Sequence, residues 1–169
     1  MRLASLVLLL SVAAAYPQQP GQSGALPRFE DYPATNTFRG KPAAPRIDSA
    51  KYGRTFRTRL REGARQGPNF AGVFTIVIWG CGSSCQHVAV IDARTGRLSQ
   101  QILPTSNGVE YRLDSRLLIA DPVRPGDPSL DHCASCGTPA AYVWDGSRFE
   151  PVGKGPHPHL SAGRAWWAP

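Results

Sequence analysis

The chain has 169 residues, of which 41% are hydrophobic, and 19 Lys and Arg residues against 12 Asp and Glu residues give a formal net charge of +7. This length suits one domain with one hydrophobic core. Because only 18% of the residues are charged and 16 are proline, the composition disfavours a coiled coil and an all-helical bundle, and four cysteines are too few for a disulfide-dense miniprotein.

The N-terminus has the pattern of a secretory signal peptide. A positively charged start is followed by an apolar run over residues 3–14, and Ala13 and Ala15 occupy the small-residue positions of an A-x-A cleavage site. The run is too short to span a bilayer, and the sequence has no later run that is apolar enough to do so. We therefore expect residues 1–15 to be removed, the mature protein to begin at Tyr16, and its location to be periplasmic or secreted.

Composition divides the remaining chain into three parts. Residues 16–45 are rich in Pro and Gly, mixed with polar residues without periodicity, and this predicts a disordered leader. Residues 46–152 carry the periodic apolar patterns of a single α+β domain. Residues 153–169 return to Pro and Gly and predict a C-terminal tail.

One amphipathic helix is predicted at the N-terminal end of the domain. Asp48 or Ser49 supplies an N-cap, and the pair Gly67 and Pro68 supplies a stop. Between them, apolar residues recur every four positions and form a stripe on one helical face, at Tyr52, Phe56, Leu60 and Ala64. We expect this stripe to pack on a β-sheet.

Past Pro68 the pattern predicts an antiparallel meander sheet of five to seven strands. Short apolar and β-branched runs follow one another without an intervening helical pattern, at residues 73–79, 88–91, 97–103, 109–113, 116–120, 141–144 and 147–152. The run 73–79 is apolar on both faces, as expected for a central strand that is covered on both sides. Residues 92–96 and 145–146 are typical hairpin connections.

The positive charge is concentrated in and just before the predicted helix. Residues 39–65 contain nine cationic and two anionic residues, whereas the remainder of the mature chain contains nine cationic and ten anionic residues. At about 100° per residue, five cations fall within an arc of about 120° beside the apolar stripe. They are Lys51, Arg54, Arg57, Arg61 and Arg65.

Two interpretations of this cationic face stay open. It is either a docking surface for an anionic partner, which is an anionic envelope component or a protein, or the solvated outer face of a helix that packs on a sheet. The export signal disfavours nucleic acid as the partner.

The four cysteines form two close pairs, Cys81 with Cys85 and Cys133 with Cys136. In an oxidising compartment two disulfides are the simplest interpretation, and the sequence does not determine which of the three pairings forms. That interpretation requires no cofactor. The alternative is a zinc site, because both spacings suit zinc ligands. Thiol redox chemistry at the second pair lacks the flanking helix that lowers a thiol pKa.

Two motifs resemble a group of small exported bacterial proteins of uncharacterised function. They are W-G-C-G-S-S-C at residues 79–85 and D-S-R-L-L at residues 114–118. The likeness covers residues 69–120 and the closing hairpin that begins at Tyr142. It implies a bacterial periplasmic or secreted protein, and it implies no activity.

The residues around the first cysteine pair predict a ligand-binding loop. Small residues lie between two apolar strands and are flanked by two rings, and the set is Trp79, Gly80, Gly82, Ser83, Ser84 and His87. A cysteine bridge there holds backbone amides in a fixed curve, as ligand loops require, although a stapled hairpin turn explains the same residues.

The functional expectation is a binding protein. The chain lacks a phosphate-binding glycine loop, a G-x-S-x-G nucleophile elbow and an H-E-x-x-H zinc motif. We therefore expect an exported, disulfide-stabilised, non-catalytic binding or inhibitory module of unknown ligand. The alternative is a zinc-binding or thiol-redox protein that uses the four cysteines.

Overall fold

The computed structural model describes residues 26–122 and 139–153, which contain one α-helix, two 3-10 helices and seven strands. The 3-10 helices are Phe29–Asp31 and Ile47–Ser49, and the α-helix α1 is Arg57–Ala64. The strands are β1 (Phe74–Gly82), β2 (Cys85–Asp92), β3 (Leu103–Thr105), β4 (Val109–Tyr111), β5 (Leu117–Ala120), β6 (Ala140–Trp144) and β7 (Phe149–Val152).

The strands form two antiparallel sheets, one of three strands in the order β1-β2-β3 and one of four in the order β4-β5-β6-β7. The prediction of antiparallel strands with one helix is confirmed, but the single meander is wrong. The break lies after β3, where the carboxylate of Asp121 accepts hydrogen bonds from the N–H groups of Ser106 (2.7 Å) and Asn107 (2.6 Å). This turn is tied to the end of β5, so that β4 pairs with β5 and not with β3.

The two sheets face each other across the main hydrophobic core. Side chains from β1 and β2, such as Ile76 and Val90, pack against residues of the second sheet, such as Tyr142 and Trp144. The outer face of the first sheet packs against α1 and Tyr52, and the outer face of the second sheet packs against the Phe29 region. The described residues thus form two stacked sheets, each covered on its outer side.

Strand β1 is apolar on both faces because both faces are covered. Ile76 lies in the core between the sheets, whereas Val77 and Trp79 lie under α1. The prediction of two covered faces is confirmed, but β1 is an edge strand and β2 is the central one. The predicted strand 97–103 is also shorter, because the Ser99 hydroxyl accepts the N–H of Val90 (3.3 Å) and regular pairing with β2 is made only by β3.

The helix is shorter than predicted and is not N-terminal, since residues 26–56 precede it in the structure. Residues 51–56 form turns that tertiary contacts determine. The Tyr52 hydroxyl donates to the Ser99 carbonyl at 2.8 Å, and a Cβ on Gly53 would overlap the Ile47 carbonyl. The predicted stripe nevertheless packs on the first sheet, because its four residues share one cluster with Val77 and Trp79.

Residues 26–45 fall within the predicted leader and follow the surface of the sheets. The N–H groups of Ala34, Phe38 and Ala43 donate to carbonyls of Asp114, Gly72 and Ala93, at 2.8, 2.9 and 2.8 Å. Their backbone is therefore held by the domain. The rest of the leader, the predicted signal peptide and the tail beyond Gly153 lie outside the described residues.

A transmembrane helix needs about 20 consecutive apolar residues. Within residues 26–122 and 139–153, none of the helices has the length and hydropathy to span a bilayer.

The buried hydroxyl of Tyr52 gives a first prediction. Tyr52→Phe removes the donor to the buried Ser99 carbonyl and lowers the free energy of unfolding by about 1–2 kcal/mol. Tyr32→Phe is the control, because the half-buried Tyr32 hydroxyl has no hydrogen-bond partner among the described residues. Urea unfolding followed by circular dichroism measures both. An equal loss in the two variants would contradict the role of this hydrogen bond.

Close contact between α1 and β1 gives a second prediction. A Cβ on Gly63 would overlap the methyl groups of Val77, so Gly63→Ala destabilises the protein by about 1–3 kcal/mol although alanine favours a helix. Gly80→Ala is the control, since its Cβ meets no atom within 4 Å. In thermal unfolding, the double variant Gly63→Ala/Val77→Ala loses less stability than the sum of the losses in the two single variants, because alanine at 77 makes room for the Cβ at 63. If the two losses simply add, the contact is refuted.

Candidate functional site

The hairpin that joins β1 to β2 carries the predicted loop. The two strands pair in regular antiparallel register up to Gly80, after which the register shifts and Gly82 pairs with Cys85. Ser83 and Ser84 form the turn. The φ of Gly82 is 140°, a conformation that side chains disfavour, so glycine is required there. The loop is thus a tight hairpin turn at the end of the first sheet.

A disulfide between Cys81 and Cys85 closes this hairpin, with the two Cα atoms 5.1 Å apart. The predicted disulfide chemistry is confirmed for this pair, and its pairing lies within one motif. Cys133 and Cys136 lie outside the described residues. A loop this short contributes only about 2 kcal/mol on the chain-entropy model. The bond therefore stabilises the hairpin tip and does not link distant elements.

His87 lies beside the disulfide and completes a group with metal-ligand chemistry. One potential ligand atom from each of Cys81, Cys85 and His87 lies within 4.8 Å of the others, and no other such group occurs in the part of the chain that the structure describes. The two sulfurs are bonded to each other, so they do not act as thiolate ligands in this form. Burial lowers the pKa of His87 and favours its neutral imidazole.

An aromatic cluster covers the base of the hairpin tip. The ring of Phe56, the residue before α1, lies 4.6 Å from Trp79 and 5.9 Å from His87, and Trp79 and His87 are 5.7 Å apart across the strands. Trp79 and His87 are 6% and 8% exposed. Among the described residues, Trp79 Nε1 and His87 Nδ1 have no hydrogen-bond partner. Both rings therefore support the tip from inside.

The predicted loop residues are thus divided by the structure. Trp79 and His87 are buried, whereas Gly80, Gly82 and the two serines of the turn are exposed. The tip presents small residues and backbone, with no aromatic surface for a ligand to contact. Phe56 contacts both rings. Its spacing in the sequence predicts only a place in the apolar stripe, because spacing does not reveal contacts between the helix and the hairpin.

All five residues of the predicted cationic face are exposed. Arg57, Arg61 and Arg65 follow at four-residue spacing along α1 and its C-cap, and so share one side of the helix. Lys51 and Arg54 lie in the turns before α1, and Arg54 pairs with Asp48 at 2.7 Å.

The exposed row Arg57, Arg61 and Arg65 has little internal compensation for its charge. Arg57 occupies the first helical residue, where the helix dipole is positive, and the first turn has no acidic residue. Like charges four residues apart cost about 0.2–0.5 kcal/mol per pair. Arg57, Arg61 and Arg65 form no ion pair with any described residue. Local stability therefore gives no reason for Arg57 at the helix start, whereas Arg61 and Arg65 lie at the C-terminal end, where the helix dipole favours cations.

The two predicted sites meet at Phe56. Its ring touches Trp79 and His87 at the hairpin tip, and the next residue is Arg57, the first of the row Arg57, Arg61 and Arg65. Further along, Gly63 of α1 lies against Val77 of β1, so the helix runs back along β1 from the tip. Phe56 therefore places the start of α1, with Arg57, beside the hairpin tip.

A cleft of about 260 Å³ lies elsewhere, between the segment that follows β2 and the β6–β7 turn. Its walls include Phe74, Arg97, Ser99, Trp144 and Ser147, and none of the predicted site residues. The sequence offered no signal for it, because its walls come from distant segments that carry no motif.

Comparison with known proteins found no matching family model, no significantly similar curated protein and no significantly similar solved structure. The site must therefore be interpreted from its own chemistry.

The local disulfide gives a third prediction. Cys81→Ser/Cys85→Ser keeps the fold and lowers the free energy of unfolding by about 2 kcal/mol, since the bond closes a loop of only a few residues. Peptide mapping of the unreduced protein recovers Cys81 bonded to Cys85. A peptide that links either residue to Cys133 or Cys136, or alkylation of Cys81 without reductant, would overturn this connectivity.

Proposed function

We propose that this protein is an exported, non-catalytic binding or inhibitory module that holds an anionic partner at the periplasm or cell surface. The observation that carries the proposal is the row of Arg57, Arg61 and Arg65. The three residues are exposed, lack carboxylate partners among the described residues, and repel each other because they share one side of the helix. An external anion relieves this repulsion.

Export is supported by two independent features. The first is the signal-peptide pattern of residues 1–15, which the resemblance to small exported bacterial proteins supports in turn. The second is the Cys81–Cys85 disulfide, since such bonds persist in oxidising compartments.

A zinc-binding or thiol-redox protein is the second candidate. The grouping of Cys81, Cys85 and His87 favours it, because two thiolates and an imidazole are zinc ligands once the bond between the sulfurs is reduced. Elemental analysis beside alkylation of the purified protein separates the two candidates. Bound zinc with free thiols at Cys81 and Cys85 favours this second candidate.

The binding proposal is tested with poly-glutamate as an acidic polypeptide probe. Arg57→Gln/Arg61→Gln/Arg65→Gln weakens binding by about tenfold, because each exposed charge pair contributes a small favourable energy. The matched control is Arg28→Gln/Arg97→Gln/Arg148→Gln, which removes the same charge from exposed positions outside residues 39–65. Binding is measured by titration calorimetry and weakens as salt is added.

Three outcomes of this experiment are informative. Selective loss in the helix variant supports the proposal. Equal loss in both variants shows that only net charge matters and contradicts a specific face. Binding of wild type to phosphatidylglycerol vesicles but not to poly-glutamate replaces a protein partner by a lipid one.

A further inference from the structure

The outer edge of β1 has hydrogen-bonding groups that point away from the sheet. Alternate residues of an antiparallel edge strand direct their N–H and C=O groups outwards. In β1 these are the even-numbered residues, because the side chain of Asn69 bonds both the N–H (2.7 Å) and the C=O (3.2 Å) of Ile76. The backbone of Phe70 likewise exchanges two hydrogen bonds with Phe74.

Among the described residues, the chain covers this edge as far as Ile76. Asn69 and Phe70 act as a short substitute strand beside the first half of β1. Beyond it, the outward N–H and C=O groups of Ile78 and Gly80 have no hydrogen-bond partner in residues 26–122 and 139–153. Four adjacent backbone groups are therefore open at the edge of an ordered strand.

The open part of the edge is accessible. Ile78 is 38% exposed, one of the few large apolar side chains with such exposure, and Gly80 is exposed as well. A Cβ on Gly80 or Gly82 would meet no atom within 4 Å. Missing side chains at these two positions leave room for another backbone to approach. The register shift after Gly80 then ends the regular edge.

We propose that the edge from Ile78 to Gly80 binds an extended acidic segment of a partner protein, which adds to the first sheet as a fourth strand. This inference rests on the proposed function and names its partner. The backbone groups supply affinity, and Ile78 supplies an apolar contact. The helix α1 packs on β1, and Arg57 and Arg61 of α1 with Arg65 at its C-cap attract the carboxylates of the segment.

Charge favours an acidic partner over a second copy of the chain. Residues 39–65 carry nine cations against two anions, and α1 within them lies on β1 itself. Pairing β1 with β1 of another copy brings two such segments together, and their repulsion opposes the pairing. An extended segment with alternating Glu and apolar residues presents one face of carboxylates and one apolar face. The first suits the arginine row, and the second suits Ile78.

The test uses full-length mature protein, a synthetic hexapeptide Glu-Val-Glu-Val-Glu-Val with blocked ends, and the same peptide N-methylated on alternate residues. We expect the unmodified peptide to slow amide exchange of Ile78 and Gly80 in nuclear magnetic resonance spectra. The N-methylated peptide has the same charge but cannot complete the ladder, so it leaves both amides unprotected. A Lys-for-Glu version of the peptide does not bind.

Gly80→Pro removes one outward donor without touching a hydrogen bond to β2, and weakens the peptide by about tenfold. Gly80→Ala keeps the donor, so it binds the peptide more tightly than Gly80→Pro does. If Gly80→Pro does not fold, strand addition is still tested by comparing the unmodified and the N-methylated peptide on the wild-type protein.

Two results would overturn the inference. If both peptides bind equally and the Arg57→Gln/Arg61→Gln/Arg65→Gln variant binds neither, anion binding survives but strand addition does not. If sedimentation shows a wild-type dimer that Gly80→Pro dissociates, the edge pairs with a second copy instead.

Discussion

Burial of both faces of β1 is the constraint on which the other described elements depend. Its inner face needs the second sheet, and its outer face needs α1 and the turns before it. The helix approaches so closely that residue 63 has no side chain, and Tyr52 is fixed by its hydrogen bond to Ser99. Covering on both faces is what an apolar run such as that of β1 indicates. Within the described residues, the exposed part of β1 is its second half, where Ile78 and Gly80 are exposed and their outward backbone groups are open.

The chemistry of the candidate site follows from this arrangement. The hairpin tip projects beyond the covered region, and there the chain has small residues, a local disulfide and backbone. Phe56 connects the tip to α1, so the helix that carries the arginines packs on the strand whose edge is open. Both features lie at the surface, since the arginines, Ile78 and Gly80 are exposed. The acidic segment proposed above would lie extended along them.

Much of the local structure was predictable from the sequence because it depends on neighbouring residues. The apolar stripe at Tyr52, Leu60 and Ala64 packs as its spacing predicts, and β1 is apolar on both faces as its composition predicts. The single meander was wrong because Asp121, distant in sequence, ties the turn after β3 to the end of β5. The helix was predicted too long because tertiary contacts hold residues 51–56 in turns. Exposure of Lys51 and the arginines was readable from periodicity, whereas the position of β1 at an edge was not, since strand order depends on pairing between distant segments.

The local pairing of Cys81 with Cys85 has a consequence for how the protein is made. The bond spans a single hairpin turn, and the cysteines approach each other as soon as β1 and β2 are in register. Contacts between the two sheets, which join residues far apart in sequence, receive no covalent help from it. Oxidation at this site therefore records that the hairpin has formed and does not guide the chain to it. The chain can assemble its core first and acquire this bond afterwards, because the bond joins residues of one hairpin and does not link the two sheets.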